Sequence, residues 1–166
     1  MALLRIPQNK LQKINFHKLI GSNPVFSACA RRELERTFKE VQYLNLGEDE
    51  VLFCEGAWPK RVFLIESGGV KIVRDIGSKK EAIIRFAGKR ALVGMEEVVG
   101  ERAYKKSAIC VAPVKVYSLP KEPFLKLVYS NITCYNGLID QLTKDLVFTR
   151  TRIVSLSQKR TSQRLA

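Results

Sequence analysis

Histidine is almost absent from this chain, and its scarcity excludes several kinds of catalytic site. The 166 residues contain a single histidine, His17. Metal enzymes that hold zinc on two or three imidazoles need more than one histidine. A Ser–His or Cys–His catalytic pair is weakened for the same reason. We therefore expect a protein that is not an enzyme.

Cysteine is also scarce, and the four residues are dispersed. Cys29, Cys54, Cys110 and Cys134 form no C-x-x-C pair, whereas zinc and iron–sulfur sites need clustered ligands. No metal site is predicted. We expect buried thiols, as is usual in a cytoplasmic protein. A redox switch remains the alternative, because exposed and reactive thiolates sense oxidants.

Long apolar runs are missing as well. No run approaches the roughly 18 residues that a membrane span requires. The first ten residues, MALLRIPQNK, contain too short an apolar stretch for a secretory signal. These absences predict a cytoplasmic protein with no membrane partner.

Acidic residues are too few to balance the basic ones. The chain has 29 Lys and Arg against 16 Asp and Glu, a net charge of +13 at pH 7. A cation excess of this size favours polyanionic partners, above all nucleic acid or an anionic membrane surface. A basic surface that is simply solvated is the alternative.

The residue pattern divides the chain into four segments. Residues 1–40 predict helices that cover another element, the second of them over residues 28–39. Residues 41–130 contain about eight short β-branched and aromatic stretches separated by turn residues, which is typical of an all-β sandwich or roll. Residues 131–159 predict one long helix without proline. Residues 160–166 predict the start of a further helical unit, with Thr161 or Ser162 as its cap.

A glycine pair in the β-rich segment predicts a tight hairpin. Gly68 and Gly69 separate the stretches Arg61–Ser67 and Val70–Asp75. Paired glycines accept the positive φ angles that tight turns demand. We expect the two stretches to be neighbouring strands.

The long helix carries an apolar seam whose members are spaced alternately four and three residues apart. Such a seam, sustained over about three heptads, predicts a coiled-coil homodimer. A helix docked on its own β-domain is the alternative, although it usually has a wider apolar stripe. The predicted interface residues are Tyr135, Ile139, Leu142, Leu146 and Ile153.

Four other residues of this helix do not fit a simple seam. Leu138, Val147 and Phe148 are apolar but lie off it, and we expect them to contact the roll. Gly137 weakens the prediction of a coiled-coil seam, because glycine lowers helix stability by about 1 kcal/mol relative to alanine.

Three stretches, taken in order, resemble a known family. They are Val51–Asp75, Ala108–Val128 and Leu142–Ala166. The chain is similar, from Leu34 to Ala166, to the CRP/FNR superfamily of bacterial transcription regulators, which includes the catabolite activator protein and the fumarate–nitrate regulator.

The resemblance implies a mainly β fold with flanking helices. It is a double-stranded β-helix or jelly roll of the cyclic-nucleotide-binding type, followed by a long dimerisation helix. It implies a homodimer that contacts DNA through a C-terminal winged helix-turn-helix domain, with RNA polymerase as a further partner. That domain is expected to be missing after the first turn, so specific DNA binding is not expected of this chain alone.

The family also implies a ligand cassette. In its cyclic-nucleotide binders a Gly-Glu pair holds the ribose and an Arg-Ser or Arg-Thr pair holds the cyclic phosphate. Here Gly94 matches, Met95 replaces the glutamate, Glu96 comes one position late, Lys106 replaces the arginine and Ser107 matches. Methionine offers no useful hydrogen bond, and lysine lacks the bidentate fork of arginine. A shift of one position along an extended segment is expected to turn the side chain of Glu96 away from the site.

We therefore place the ligand site at these five residues and expect its effector not to be a cyclic nucleotide. The alternative for Lys106 and Ser107 is a solvated strand edge. Heme or gas sensing stays open, with His17, Met95 and the cysteines as axial candidates, although ordinary core packing is the alternative for Met95.

Further alternatives concern the protein class. The chain could be a cyclic-nucleotide-responsive regulator, or it could need no small ligand and respond to expression level or oxidation. A regulatory domain of a non-transcriptional protein, such as a kinase or channel, is another. An enzyme of the cupin type shares a small β-roll but needs several histidines for its metal.

Overall fold

The computed structural model describes residues 10–75 and 81–162, with side chains described from residue 15 to 75 and from residue 82 to 147. The helices are α1 (Lys10–Gly21), α2 (Arg31–Thr37), α3 (Met95–Val99), α4 (Lys121–Ser130) and α5 (Ile132–Ser162). The strands are β1 (Gln42–Leu46), β2 (Val51–Phe53), β3 (Arg61–Ser67), β4 (Val70–Asp75), β5 (Glu81–Ala87), β6 (Leu92–Val93), β7 (Ser107–Cys110) and β8 (Val114–Pro120).

The strands form two four-stranded sheets whose pairings are all antiparallel. One sheet has the order β1-β8-β3-β6 and the other the order β2-β7-β4-β5. Strands that follow one another in the sequence alternate between sheets over most of the chain. The predicted β-roll of jelly-roll type with flanking helices is confirmed.

The predicted hairpin at Gly68 and Gly69 is wrong. The turn lies between β3 and β4 as expected, but β3 pairs with β8 and β6, whereas β4 pairs with β5 and β7. Gly68 has a φ of 88°, and a Cβ there would lie 2.3 Å from the carbonyl oxygen of Pro113. Gly68 and Gly69 therefore form the connection from one sheet to the other, and this connection packs against the turn between β7 and β8.

The apolar residues of β3 build two cores at once. Because side chains alternate along a strand, Val62 and Leu64 join the cluster formed with the helices, whereas Phe63 and Ile65 join the cluster between the sheets. Such a strand is buried on both faces, which explains why β3 reads as a nearly continuous apolar run.

Helix α5 begins at a well-defined cap. The Oδ1 atom of Asn131 accepts hydrogen bonds from the backbone N–H groups of Thr133 (3.0 Å) and Cys134 (3.2 Å), as an N-cap residue does. The helix then continues to Ser162, past the expected end at residue 159. Thr161 and Ser162 lie within it instead of capping a new helix, and residues 163–166 lie outside the described residues.

A disulfide joins the start of α5 to the segment between α1 and α2. Cys29 and Cys134 are bonded across a sequence separation of 105 residues. Cys134 is fully buried and Cys29 is partly exposed. The prediction of four buried thiols is therefore wrong for this pair and for Cys54, which is a free, exposed thiol, and holds for Cys110. The two partners are too distant in sequence for spacing to have paired them.

The N-terminal helices differ slightly from the predicted ranges. The predicted second helix, residues 28–39, is shorter in the structure, where α2 spans Arg31–Thr37. Phe16, Ile20, Leu34 and Phe38 are buried in the cluster that α4 and α5 also join. Over the part of the chain described, no helix is both long and apolar enough to cross a membrane.

Candidate functional site

Gly94 stands where the chain leaves β6 and enters α3. Its φ of 82° lies in the left-handed region, where glycine is favoured, and it is the N-cap residue of α3. A Cβ at this position would lie 3.2 Å from the hydroxyl oxygen of Tyr104. The predicted site glycine is therefore required for both its conformation and its close packing.

The next residue, Met95, faces the protein interior. It is 1% exposed and belongs to the core cluster that includes the helices. The structure thus favours core packing for Met95 over a role as a ligand. The segment after Gly94 is helical, not extended, so our expectation that a shift by one position would turn Glu96 away is wrong.

Glu96 and Lys106 form the centre of an ion cluster. The Nζ atom of Lys106 donates to Oε2 of Glu96 and lies 3.6 Å from Oε1 of Glu97. Nη2 of Arg85, on β5, lies 3.8 Å from the other carboxylate oxygen of Glu96. The side chains of Lys106 and Arg85 are only 13% and 18% exposed. Lys106 is therefore not part of a solvated strand edge, although its neighbour Lys105 is exposed.

Glu97 is the most deeply buried member of this cluster. Its side chain is 3% exposed, and its Oε2 atom has no hydrogen-bond partner among the described residues. A buried carboxylate oxygen without a donor is unfavourable. The charge of Lys106 is therefore shared between two carboxylates, one of them desolvated.

An aromatic stack borders the acidic residues. The rings of Phe53 and Tyr104 are stacked with centroids 3.9 Å apart, and the Tyr104 hydroxyl donates to the carbonyl oxygen of Arg61 (3.2 Å). Burial raises the pKa of Tyr104 well above its usual range, and the charge of Glu97 raises it further. Tyr104 therefore stays neutral beside the carboxylates.

Ser107 is held by a neighbouring loop. Its Oγ accepts a hydrogen bond from the backbone N–H of Glu55 (2.9 Å). The Oε2 atom of Glu55 in turn accepts from the backbone N–H of Asp75 (3.3 Å). The serine predicted to contact a ligand thus also fixes the loop after β2.

Acids within the cluster balance its cations. Two carboxylates, Glu96 and Glu97, offset the two cations, Arg85 and Lys106, so the site has no excess of positive charge. A phosphate that approached Lys106 would meet both carboxylates and would have to displace Glu96. Like charges at such distances disfavour one another, particularly where water is excluded.

Four of the residues that come together at this site were predicted from the sequence, and two were not. Gly94, Glu96, Lys106 and Ser107 come together around α3 and the start of β7. Arg85 was missed because it lies 9 or more positions from the cassette on a separate strand. Glu97 was visible as the second of two adjacent acids, but only the helical geometry of α3 brings it to Lys106.

Two of the heme candidates, His17 and Met95, have their contacts outside the ion cluster. Nε2 of His17 lies 3.5 Å from Oε1 of Glu35 on α2, and Met95 lies in the core. Within residues 10–75 and 81–162, no group of three or more His, Cys, Asp or Glu residues could hold a metal ion.

Most of the predicted dimer residues are exposed in the single chain. Tyr135, Ile139 and Leu146 are 41%, 44% and 51% exposed, whereas Leu142 is partly buried against the core. The side chain of Ile153 lies outside the described residues. These exposures leave an apolar seam on α5 that the described residues do not cover.

The off-seam residues behave differently from one another. Leu138 is 1% exposed and packs in the core, as predicted. Val147 is 58% exposed, so it is not buried in the core as Leu138 is. The side chain of Phe148 lies outside the described residues.

A family comparison covers the roll and α4. The sequence pattern of the cyclic nucleotide-binding domain matches residues 43–131, which is more than half of the chain. No curated protein sequence matches the chain significantly.

Solved structures with the same fold come from several organisms. The catabolite activator protein of Thermus thermophilus has a TM-score of 0.68 at 21% identity; the match covers 81% of this chain and 63% of that one, so this chain spans less than two thirds of its length. The sensor domain of the transcriptional regulator DNR from Pseudomonas aeruginosa has a TM-score of 0.73 at 20% identity, covering 85% and 93%. The regulatory domain of Toxoplasma gondii PKA, solved with cAMP, has a TM-score of 0.66 at 13% identity, covering 72% and 45%.

Proposed function

Because the chain belongs to the cyclic nucleotide-binding domain family, we propose that it is the effector-sensing and dimerisation part of a CRP/FNR-type transcription regulator that does not respond to cyclic nucleotides. The observation that carries this proposal is the contact of Lys106 with the carboxylates of Glu96 and Glu97. In the family the corresponding position holds the cyclic phosphate, and here the protein supplies its own anions.

The proposed assembly is a homodimer joined along α5. Tyr135, Ile139 and Leu146 present apolar surface on one helix, with the spacing of a coiled-coil seam. A DNA-binding domain following α5 would bring two recognition elements to a palindromic site, and RNA polymerase would be a further partner. We propose a cytoplasmic location and a binding role rather than a catalytic one.

The proposed switch uses α3 and α5. An effector that binds beside α3 would change the positions of Glu96 and Lys106 relative to the long helices. A difference in affinity for two arrangements of α5 would then shift the equilibrium between them, and with it the orientation of the DNA-binding domains.

Redox sensing is a second candidate, favoured by the bond between Cys29 and Cys134. Disulfides in the cytoplasm are usually transient or regulatory. The proposed reaction is thiol–disulfide exchange: the two protein thiols form one S–S bond, and a low-molecular-weight disulfide is reduced to two thiols. Cys29 is the accessible partner, since Cys134 is buried.

A ligand survey tests the proposal. The purified chain would be examined by thermal shift with cAMP and cGMP, by absorbance titration with hemin, and by thermal shift in reduced and oxidised glutathione. We expect no stabilisation by the cyclic nucleotides. A saturable shift with cAMP at micromolar concentration would replace the proposal with a cyclic-nucleotide-responsive regulator, and a Soret band that saturates at one hemin per chain would identify heme as the effector.

A further inference from the structure

A basic groove lies between α2 and α4, outside the ion cluster of the roll. Its volume is about 870 Å³, within the range of roughly 300–1,000 Å³ that small-molecule sites usually have. Ala30, Pro123 and Leu127 contribute apolar surface, and Thr37 and Ser130 contribute hydroxyl groups. The groove thus combines a concave shape with hydrogen-bonding groups.

Positive charge dominates this groove. Four cations line it, Arg32, Arg36, Lys39 and Lys126, against two acids. None of the four forms an ion pair with a described residue. The contrast is with Arg31 on the same helix, which does not line the groove and contacts Glu35 at 2.9 Å. The groove cations are therefore available for a ligand.

Glu33, one of the two acids, already accepts a hydrogen bond, and its donor Asn131 lies at the start of α5. Oε2 of Glu33 accepts a hydrogen bond from Nδ2 of Asn131 (3.1 Å). The same Asn131 side chain caps α5 through its oxygen, which accepts from Thr133 and Cys134. A single side chain thus connects the wall of the groove to the first turn of the long helix.

We propose that this groove binds a small polyanion bearing phosphate or carboxylate groups, and that its occupancy is transmitted to α5 through Glu33 and Asn131. Two arginines supply planar donor forks that match carboxylate and phosphate oxygens. The excess of two positive charges favours ligands that carry several negative charges. A bound anion repels the carboxylate of Glu33 and so weakens the hydrogen bond from Asn131.

The ligand site is independent of any effector of the roll. Its lining residues come from α2, α4 and the segments beside them, and include none of Gly94, Glu96 or Lys106. If none of the surveyed ligands binds the roll, the groove between α2 and α4 can still bind a polyanion. If no polyanion binds the groove, the roll can still act as a sensor.

Calorimetric titration with inorganic tripolyphosphate tests binding. Citrate serves as the carboxylate probe, and sodium chloride at matched ionic strength as the blank. We expect saturable binding to the wild-type chain, weakened at least tenfold by Arg36→Glu and by Lys126→Glu. The matched control is Lys89→Glu, an exposed cation outside the groove, which should change the affinity less than twofold. Equal weakening by all three variants, or no binding of either probe, would overturn the site.

Hydrogen exchange tests the connection to α5. Asn131→Asp retains an oxygen that caps the helix but replaces the Nδ2 donor to Glu33. In the wild-type chain, tripolyphosphate should change the exchange of the peptide spanning residues 131–140. In Asn131→Asp, tripolyphosphate should still bind while that change is lost. An unchanged peptide in the wild type, or the same change in the variant, would overturn the coupling.

Discussion

A methyl group on Gly137 would lie 2.5 Å from the carbonyl oxygen of Pro24 and 2.9 Å from the Cα atom of Val25. At this point the backbone of α5 therefore packs directly against the backbone of the segment that follows α1. The glycine that weakened the prediction of a dimer seam is the residue that permits this crossing. The disulfide between Cys29 and Cys134 lies one helical turn earlier on α5 and holds the same two segments together.

Gly137→Ala should destabilise the protein even though alanine is the better helix former. Helix propensity alone favours the substitution by about 1 kcal/mol, but the added methyl group clashes with main-chain atoms that cannot rotate away. We expect a net loss of about 1–3 kcal/mol, the usual cost of overpacking, measured by urea denaturation. The control is Asn136→Ala, an exposed position on the same helix, which should be neutral or stabilising. Greater stability of Gly137→Ala would contradict the close crossing.

The exposed seam of α5 predicts a dimer that one charge can break. Leu146→Glu places a carboxylate in the proposed apolar interface, where it would be desolvated. Sedimentation equilibrium should give a dimer for the wild-type chain and a monomer for Leu146→Glu. The adjacent Val147 is as exposed as Leu146 but lies off the seam, so Val147→Glu should remain dimeric. A monomeric wild-type chain would remove the basis of the proposed switch.

Reduction of the disulfide should lower stability substantially. A cross-link that closes a loop of 105 residues restricts the unfolded chain and is worth about 5 kcal/mol on the loop-entropy estimate. Cys29→Ala should lose about this much free energy of unfolding, and a dithiol reductant should have no further effect on that variant. Cys54→Ala removes an exposed free thiol and should leave the stability unchanged. Equal stability of the wild-type chain with and without reductant would show that the bond does not contribute.

Periodicity was sufficient to predict the roll because each strand is short and bounded by turn residues. The ranges of β3 and β4 match the predicted stretches, since Gly68 follows the first and Asp75 ends the second. The pairing of strands could not be read in the same way. Gly68 and Gly69 have the local pattern of a hairpin turn. After them, however, the chain continues into the other sheet, because both faces of β3 are buried.

The candidate site was located from the sequence only in part. Gly94 and Lys106 were placed from their resemblance to a cassette, and the structure brings Lys106 to the helix that begins after Gly94. The internal neutralisation of Lys106 was not foreseen, because it depends on α3 being a helix that presents Glu96 and Glu97 together. The groove between α2 and α4 left no sequence signal, since its cations are spread over residues 32–126.

The most direct test of the central claim is a calorimetric titration of cAMP into the wild-type chain and into Glu96→Gln. Glu96→Gln retains the shape of the side chain but removes one of the two carboxylate charges that contact Lys106. The account predicts no saturable heat for the wild type below about 1 mM cAMP, a free energy weaker than roughly −4 kcal/mol. It predicts at least tenfold tighter binding for Glu96→Gln. Micromolar binding to the wild type, unchanged or weakened in Glu96→Gln, would contradict the claim that the protein's own carboxylates take the place of the cyclic phosphate.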